Sequence, residues 1–291
     1  MKKNLALILL AGVLSLTPFN KKNKISQLDN KPKYDIERLL YEKEDTILPK
    51  KPAYAKKEFT HSDMKKLLEE TDMKNEEYLN ENTKNIFLFN DDRELKDSLI
   101  VELREKEHAF RMPRPVYFEH YYQVNYLSTD QNKVIYLILS SLKDSSFTNE
   151  IGRIIKKDIE NKYTEMGGII NFKKENKIEL NCLESELAKQ KKEENDCRYL
   201  FPPGAVFMKK IAYFHLHSSQ FDESSYAGPS SEDLMSSQQT SYFLRTDNNF
   251  LITSLKKGKF NIDYFGVDTI NDKKVRTVDL GNYYYDTLKI K

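Results

Sequence analysis

Apolar and polar residues follow a helical period in one segment near the middle of the chain. The apolar side of this segment carries five residues: Phe147, Ile151, Ile154, Ile155 and Ile159. The polar side carries three: Lys156, Lys157 and Asp158. Because residues three or four apart share one face of an α-helix, the pattern predicts an amphipathic helix that buries the isoleucines and exposes Asp158. We expect this helix to end near Tyr163.

Strand-like segments follow this helix. Residues 165–172 include an apolar run with two glycines, which permit close packing against a neighbour, and residues 178–180 pair back after a polar turn. Residues 206–214 have strand character and lead directly into a pair of histidines. A helix start at residues 233–238 is followed by three further strand patterns, at residues 241–245, 250–255 and 259–265. This order predicts an α+β fold, with a mixed β-sheet flanked by helices.

The first half of the chain has weaker periodicity. Residues 20–57 are dominated by Lys, Asn, Asp and Glu, contain prolines and lack apolar periodicity, which is typical of a polar linker. A short helix is predicted at residues 61–68. At residues 85–89 and 99–103, periodicity does not decide between a strand and a buried helix.

These patterns divide the chain into four regions. Residues 1–19 form a signal peptide or membrane anchor, and residues 20–57 form the polar linker. Residues 58–145 form an N-terminal extension or small domain that is partly helical. Residues 146–291 form the α+β domain, and a length of about 145 residues is common for one domain.

Composition limits the classes of function. Charged residues make up 32% of the 291-residue chain and its mean hydropathy is -0.69, yet 18 Tyr and 16 Phe provide large groups for a core. The net charge is only +2, and positive and negative residues are interleaved. Because a nucleic-acid-binding domain needs a basic footprint, we expect no nucleic-acid partner.

The amino terminus has the pattern of an export signal. Two lysines follow Met1, and an apolar run covers residues 5–16. This run is short for a membrane span and has the length of a signal-peptide core. We expect an exported protein that is periplasmic, secreted or membrane-anchored, and an uncleaved segment would provide a membrane tether.

The chain contains two cysteines, Cys182 and Cys197. They bracket a polar stretch rich in Lys and Glu, which suits a loop-closing disulfide in an oxidising compartment. Such a bridge would stabilise the protein by roughly 3 kcal/mol. Two unrelated thiols are the alternative, whereas metal binding by these cysteines is disfavoured because no C-x-x-C spacing exists.

The candidate chemistry centres on His215 and His217. Alternate side chains of a strand project from the same face, so both histidines would point to one side while Leu216 points into a core. An isolated H-x-H is often no more than two hydrogen-bonded histidines on a half-buried strand. No histidine follows His217 and the chain lacks H-E-x-x-H, which disfavours the metal enzymes that need further histidines downstream.

With an upstream glutamate and a downstream S-x-x-D sequence, the pattern resembles the JAMM metalloprotease family. That family's motif is a glutamate on an early strand, then H-x-H, then S-x-x-D, and here these elements are Glu165, the two histidines, and Ser230 with Asp233. The resemblance covers roughly residues 146–270 and is greatest to the bacterial JAB-like branch. It implies a JAB/MPN-like fold for residues 146–291.

The resemblance also implies a role for each residue. His215, His217 and Asp233 would bind Zn²⁺, with a water in the fourth position. Glu165 would act as general base and then acid, and Ser230 would donate a hydrogen bond to the oxyanion. The implied reaction is hydrolysis of a peptide or isopeptide bond, with a peptide or protein as substrate.

Two departures from the family pattern are the long gap between His217 and Ser230, and Ser218 in place of the proline that many members have. Twelve residues separate His217 from Ser230, which is longer than is typical of the family, so Asp222 or Glu223 could supply the acidic ligand instead. Glu175 or Glu179 could replace Glu165, since both would lie near a strand. The alternative functions are a catalytically inactive JAB-like binding module, or a peptidase that acts as a toxin or effector.

Overall fold

The computed structural model describes thirteen segments of the chain. They are residues 61–84, 89, 91–108, 120–160, 165–173, 177–185, 199, 201–202, 205, 208–221, 227–241, 248–268 and 274–290. The predicted signal peptide or anchor and the predicted linker lie outside them, and both stay predictions. Within the described residues, no helix is both long enough and apolar enough to cross a membrane.

Four α-helices and a 3-10 helix precede the first strand in the described chain. They are α1 (His61–Thr83), α2 (Asp92–Arg104), the 3-10 helix (His120–Tyr126), α3 (Thr129–Ser141) and α4 (Ser145–Glu160). Side chains cap three of them. Asp91 Oδ1 accepts the Glu94 N–H at 2.8 Å, Ser128 forms a reciprocal capping box with Gln131, and Asp144 Oδ1 accepts the Ser146 N–H at 2.8 Å. The prediction of a short helix at 61–68 was wrong in length, since α1 continues to Thr83.

The remaining elements build one six-stranded sheet. Its strands are β1 (Gly167–Phe172), β2 (Ile178–Leu183), β3 (Ala212–Phe221), β4 (Asn249–Leu255), β5 (Lys259–Val267) and β6 (Val275–Tyr284), and α5 (Ser231–Ser241) connects β3 to β4. The spatial order is β2-β1-β3-β4-β5-β6. Only β3 and β4 are parallel, while the other neighbours are antiparallel. The predicted α+β class with a mixed sheet is therefore confirmed.

Two strand boundaries differ from the sequence prediction. Strand β3 begins at Ala212, and residues 208–211 precede it as irregular chain, although the apolar pattern started the strand at residue 206. Ser241, where a strand was expected, is the last residue of α5. Residues 242–245, the rest of that predicted strand, lie outside the described residues.

The main core lies between the helices and one face of the sheet. Leu99 of α2, Val134 of α3 and Ile155 of α4 are fully buried there, together with Phe214 and Leu216 of β3. Burial at this scale contributes roughly 1.5–3 kcal/mol for each large side chain. The segment at 99–103, which periodicity left undecided, is helical, and it buries Leu99 and Leu103 while Val101 is 56% exposed.

Helix α4 is amphipathic as predicted, but its faces differ from the predicted ones at two positions. Asp158 is 1% exposed, and Ile159 is 44% exposed. Asp158 follows Ile154 by four residues and Ile151 by seven, which places it on the buried face. The assignment of Asp158 to the polar side was therefore wrong.

Residues 65–291 form one compact unit, and residues 1–64 form a second, of which only residues 61–64 are described. The first unit along the chain lies almost wholly outside the described residues. The predicted boundary between residues 145 and 146 falls between α3 and α4, and it stays a prediction.

Close approach of β1 to its neighbours depends on Gly168. A Cβ atom at this position would lie 2.0 Å from the carbonyl oxygen of Asn181 on β2. Backbone atoms on the adjacent strand cannot move aside without breaking the ladder between β1 and β2. Gly168 therefore permits the close approach of β1 to β2.

We expect Gly168→Ala to lower the free energy of unfolding by roughly 1–3 kcal/mol, because the new methyl group overpacks against backbone. Chemical denaturation followed by circular dichroism measures this loss. Glu184→Ala, at an exposed position just after β2, is the control and should stay within about 0.5 kcal/mol of wild type. Wild-type stability of Gly168→Ala would contradict the close packing of β1 against β2.

Candidate metal centre

The two histidines project from one face of β3, as the alternation of the sequence predicted. Phe214 and Leu216 are both fully buried in the main core, which orients His215 and His217 to the opposite face of the sheet. The imidazole rings lie 5.3 Å apart between centroids. His215 is 8% exposed. The centroid of its ring lies 6.1 Å from the centroid of the Phe265 ring, and the two ring planes are perpendicular, at 89°. The strand thus presents two closely spaced imidazoles in a largely desolvated site.

Glu165 reaches the histidines from the start of β1. Gly167 pairs with His215, and the carbonyl of Met166 accepts the Leu216 N–H at 2.9 Å. On the other side of the same residue, the Met166 N–H donates to the carboxylate of Asp158 on α4. These contacts hold the chain beside Glu165 against both the helix and the histidine strand.

Asp233 enters the site from the first turn of α5. Its backbone N–H donates to Ser230 Oγ at 3.1 Å, and its Oδ2 accepts the Ser230 N–H at 2.7 Å and the Ser230 hydroxyl at 2.8 Å. The S-x-x-D sequence is therefore a reciprocal cap that satisfies N–H groups at the helix start. This cap also fixes the direction in which the Asp233 carboxylate points.

The end of the long connection before α5 is anchored to the sheet. Ala227 is fully buried against Leu255 of β4. Gly228 follows with a φ of 123°, a conformation that glycine adopts at little cost. Pro229 is buried next to it. The return of Asp233 to the histidines therefore depends on residues 227–230, whereas residues 222–226 lie outside the described segments.

Asp233 and Glu165 each lie close to the histidine pair. Asp233 Oδ1 lies 3.1 Å from His215 Nε2, and Asp233 Oδ2 lies 3.4 Å from His217 Nε2. One ligand atom from each of Glu165, His215 and His217 lies within 4.8 Å of the others. In a tetrahedral zinc site with bonds of about 2.0–2.1 Å, neighbouring ligand atoms are about 3.3 Å apart. The spacing of Asp233 from both histidines matches that value.

The nitrogen and oxygen atoms of the site suit a bound cation. His215 Nε2 is buried and, despite its short distance from Asp233, has no aligned hydrogen-bond partner within the described residues. A buried polar atom without a hydrogen bond is costly, and a metal ion would satisfy it. Two imidazole nitrogens with a carboxylate are also a donor set that Zn²⁺ accepts.

The pKa of the Asp233 carboxyl is held well below its ordinary value. Burial by itself would raise this pKa, but the polar contacts with His215 and His217 and their Coulombic attraction outweigh burial. Asp233 is therefore a carboxylate across the neutral range. An ionised oxygen donor beside two imidazoles favours binding of a divalent cation.

The structure brings together all five residues singled out in the sequence: Glu165, His215, His217, Ser230 and Asp233. It separates Glu179, the second candidate for the base, from the histidines, because Glu179 on β2 pairs with Asn171. Leu183 is the β2 residue level with Gly167 and His215, so Glu179 lies about 13 Å further along the strand.

Three further acidic residues were candidates in the sequence, Glu175 for the base and Asp222 or Glu223 for the acidic ligand. All three lie outside the described residues. Their assignment stays a prediction.

Cys182 lies on β2 and forms no disulfide with another described residue. Cys197 is outside the described segments. The predicted disulfide between them stays a prediction.

Sequence reasoning missed two residues that support the site. Asp158 was assigned to the polar side of its helix, and Met166 received no role. The spacing of Asp158 from Ile151 and Ile154 is the signal that would have placed it on the buried face. Nothing in the sequence marks the Met166 backbone, because its contacts are made by the fold.

No protein-family model, no curated protein and no solved structure matches the chain.

The lowered pKa of Asp233 gives a prediction for the metal-free protein. A carboxyl with a depressed pKa in the folded state stabilises the fold above its unfolded pKa near 3.8, and this contribution is lost as the pH falls below that value. We expect the difference in the free energy of unfolding between wild type and Asp233→Asn to shrink from pH 5 to pH 2. Denaturation in the presence of a chelator measures it.

Asp97→Asn serves as the surface control, since the Asp97 side chain is 68% exposed and lies 3.9 Å from Arg93. Its difference from wild type should change little over the same range. A wild-type to Asp233→Asn difference that is constant from pH 5 to pH 2 would contradict the assigned pKa direction.

Proposed function

We propose that this protein is a zinc-dependent hydrolase that cleaves a peptide or isopeptide bond, in the manner of the JAMM metalloproteases. The observation that carries this proposal is the convergence of Glu165, His215, His217 and Asp233 from three separate segments on one face of the sheet. Two carboxylates beside a histidine pair supply one anionic ligand and one base. The order of the elements that provide them is the order implied by the sequence resemblance.

Each residue has a distinct proposed role in metal binding. His215 and His217 offer their Nε2 atoms, and Asp233 offers its carboxylate, whose Oδ1 lies 3.1 Å from His215 Nε2 and whose Oδ2 lies 3.4 Å from His217 Nε2. Bound Zn²⁺ would lower the pKa of a coordinated water to about 7 and polarise the substrate carbonyl. Glu165 is then left free of the metal for proton transfer.

Glu165 would take a proton from the attacking water and later give it to the leaving amine. Its carboxylate has an oxygen within 4.8 Å of a ring nitrogen of each histidine, which places it beside any water bound to the same metal ion. The carboxylate approaches from β1 while Asp233 approaches from α5. Base and ligand are therefore held by different parts of the fold.

The Ser230 hydroxyl, the proposed donor to the oxyanion, is already hydrogen-bonded to Asp233. Its hydroxyl donates to Asp233 Oδ2 at 2.8 Å and accepts from the Asp233 N–H at 3.1 Å. To stabilise an oxyanion, the hydroxyl must rotate away from Asp233 toward the substrate. The proposed oxyanion role of Ser230 therefore requires Asp233 to exchange this hydrogen bond for the metal.

We expect the purified protein to bind one zinc ion, which plasma mass spectrometry of dialysed protein measures. His217→Ala and Asp233→Ala should weaken zinc binding by about 100-fold or more, because each removes one of three protein ligands. Glu165→Gln should keep full zinc content. A chromophoric chelator in competition gives the affinities.

His108→Gln is the matched histidine control for this experiment. His108 Nε2 lies 2.9 Å from the carbonyl oxygen of Leu103 and Nδ1 lies 3.3 Å from Asp279, so it belongs to another part of the fold. Its substitution should leave zinc content unchanged. Wild-type protein without zinc, or Glu165→Gln protein that loses zinc, would overturn the assignment of ligand and base.

Hydrolysis tests the role of Glu165. A mixture of random-sequence decapeptides and lysine-branched isopeptides, analysed by mass spectrometry, serves as the substrate probe. We expect wild type to cleave members of this mixture and Glu165→Gln to be slower by about 100-fold or more, since general acid–base catalysis contributes factors of this size. Undiminished cleavage by Glu165→Gln would contradict the mechanism. Zinc binding without any cleavage would favour a non-catalytic binding module.

A further inference from the structure

We propose that Asp158 is a positioning residue for Glu165, acting through the backbone of Met166. This inference rests on the proposed function, because it concerns the geometry of the general base. Asp158 lies on α4, whereas the histidines lie on β3 and the acidic ligand on α5. Its effect would be transmitted by one peptide unit.

The burial of Asp158 is the first observation. Its side chain lies on the face of α4 that carries Ile151, Ile154 and Ile155, and it is 1% exposed. Burying a carboxylate costs several kcal/mol unless hydrogen bonds compensate. An aliphatic residue at this position would continue the apolar stripe of the helix. Packing alone therefore does not explain a carboxylate at this position. An aliphatic residue would lack the hydrogen bond that Asp158 accepts from the Met166 N–H.

The second observation is that Met166 is held on two sides. Its N–H donates to Asp158, and its carbonyl accepts the Leu216 N–H at 2.9 Å. Leu216 stands between the two histidines on β3. The backbone of Met166 thus connects helix α4 directly to the strand that carries both candidate ligands.

The third observation is the position of Glu165 relative to this connection. The nitrogen that donates to Asp158 belongs to the peptide bond between Glu165 and Met166, so the carbonyl group of Glu165 lies in the same rigid plane. Regular β1 pairing with β3 begins at the next residue, Gly167. Asp158 therefore fixes the peptide plane that lies just outside the ladder.

The consequence for catalysis follows from the precision that proton transfer requires. A base must lie within hydrogen-bond reach of the proton it takes, and a displacement of about 1 Å can cost about 100-fold in rate. Without the Asp158 contact, the backbone at Met166 would lose one of the two contacts that hold it. Glu165 would then lose its fixed distance from His215 and His217, while the ligands themselves would stay in place.

The test compares Asp158→Asn with Asp158→Ala. The asparagine side-chain oxygen can still accept the Met166 N–H, whereas alanine has no acceptor. We expect Asp158→Ala to lower kcat by about 10- to 100-fold with unchanged KM and zinc content, and Asp158→Asn to stay within about 3-fold of wild type. The substrate probe is the mixture of decapeptides and branched isopeptides. Should Asp158→Ala not fold, Asp158→Ser takes its place, because its side chain is one bond too short to reach Met166.

Two readouts do not depend on turnover. Amide hydrogen exchange at Met166, followed by NMR in the zinc-free protein, should be about tenfold faster in Asp158→Ala and unchanged in Asp158→Asn. In cobalt-substituted protein, Asp158→Ala should alter the visible absorption bands in the same direction as Glu165→Gln. The double variant Asp158→Ala/Glu165→Gln should show no further change in spectrum or in rate, because both substitutions act on one group.

The outcomes separate this inference from the proposed function. Wild-type protein that binds no metal overturns the proposed function and the role of Asp158 with it. Metal-loaded protein in which Asp158→Ala keeps wild-type kcat and spectrum overturns the role of Asp158 alone. Effects of Asp158→Ala and Glu165→Gln that multiply rather than saturate also overturn it, since they would show that Asp158 acts independently of Glu165.

Discussion

The candidate site depends on the burial of two side chains in β3. Phe214 and Leu216 lie in the core between the sheet and the helices. Because side chains alternate along a strand, His215 and His217 must project from the opposite face of the sheet. A shift of one residue in the register of β3 would bury both histidines among aliphatic side chains and expose the two apolar residues. The hydrophobic core therefore determines which face of the sheet carries the candidate metal ligands, although Phe214 and Leu216 themselves take no part in the proposed chemistry.

Stability and chemistry are divided between the two faces of the sheet. The helical face carries the continuous apolar core, with α2, α3 and α4 packed against β3, β4 and β5. The opposite face carries the histidines, the capped start of α5 and the end of the long connection from β3. Because the two faces share only the strands, a cluster of ionisable groups can assemble on one side without placing unpaired charge in the core.

Asp158 connects the two faces of the sheet. It belongs to a helix of the apolar face, yet it adds no apolar surface there and instead accepts the Met166 N–H beside Glu165. The same backbone segment pairs with the histidine strand through Leu216. The backbone of one residue, Met166, thereby connects the helical layer, the general-base candidate and the ligand strand. The proposed positioning role follows from this connection rather than from any property of Asp158 in isolation.

The sequence by itself determined the α+β class and the face of β3 that carries the histidines, because both depend on local spacing. Glu165, Ser230 and Asp233 became candidates through the resemblance to a family motif. A period of two fixes which residues share a strand face, and a period near 3.6 fixes the apolar stripe of α4. Only the tertiary structure decided that Asp233 reaches both histidines, that Glu179 does not, and that Asp158 contacts the backbone beside Glu165. These facts depend on strand order, register and backbone hydrogen bonds between distant segments, and local periodicity carries no information about which segments become neighbours.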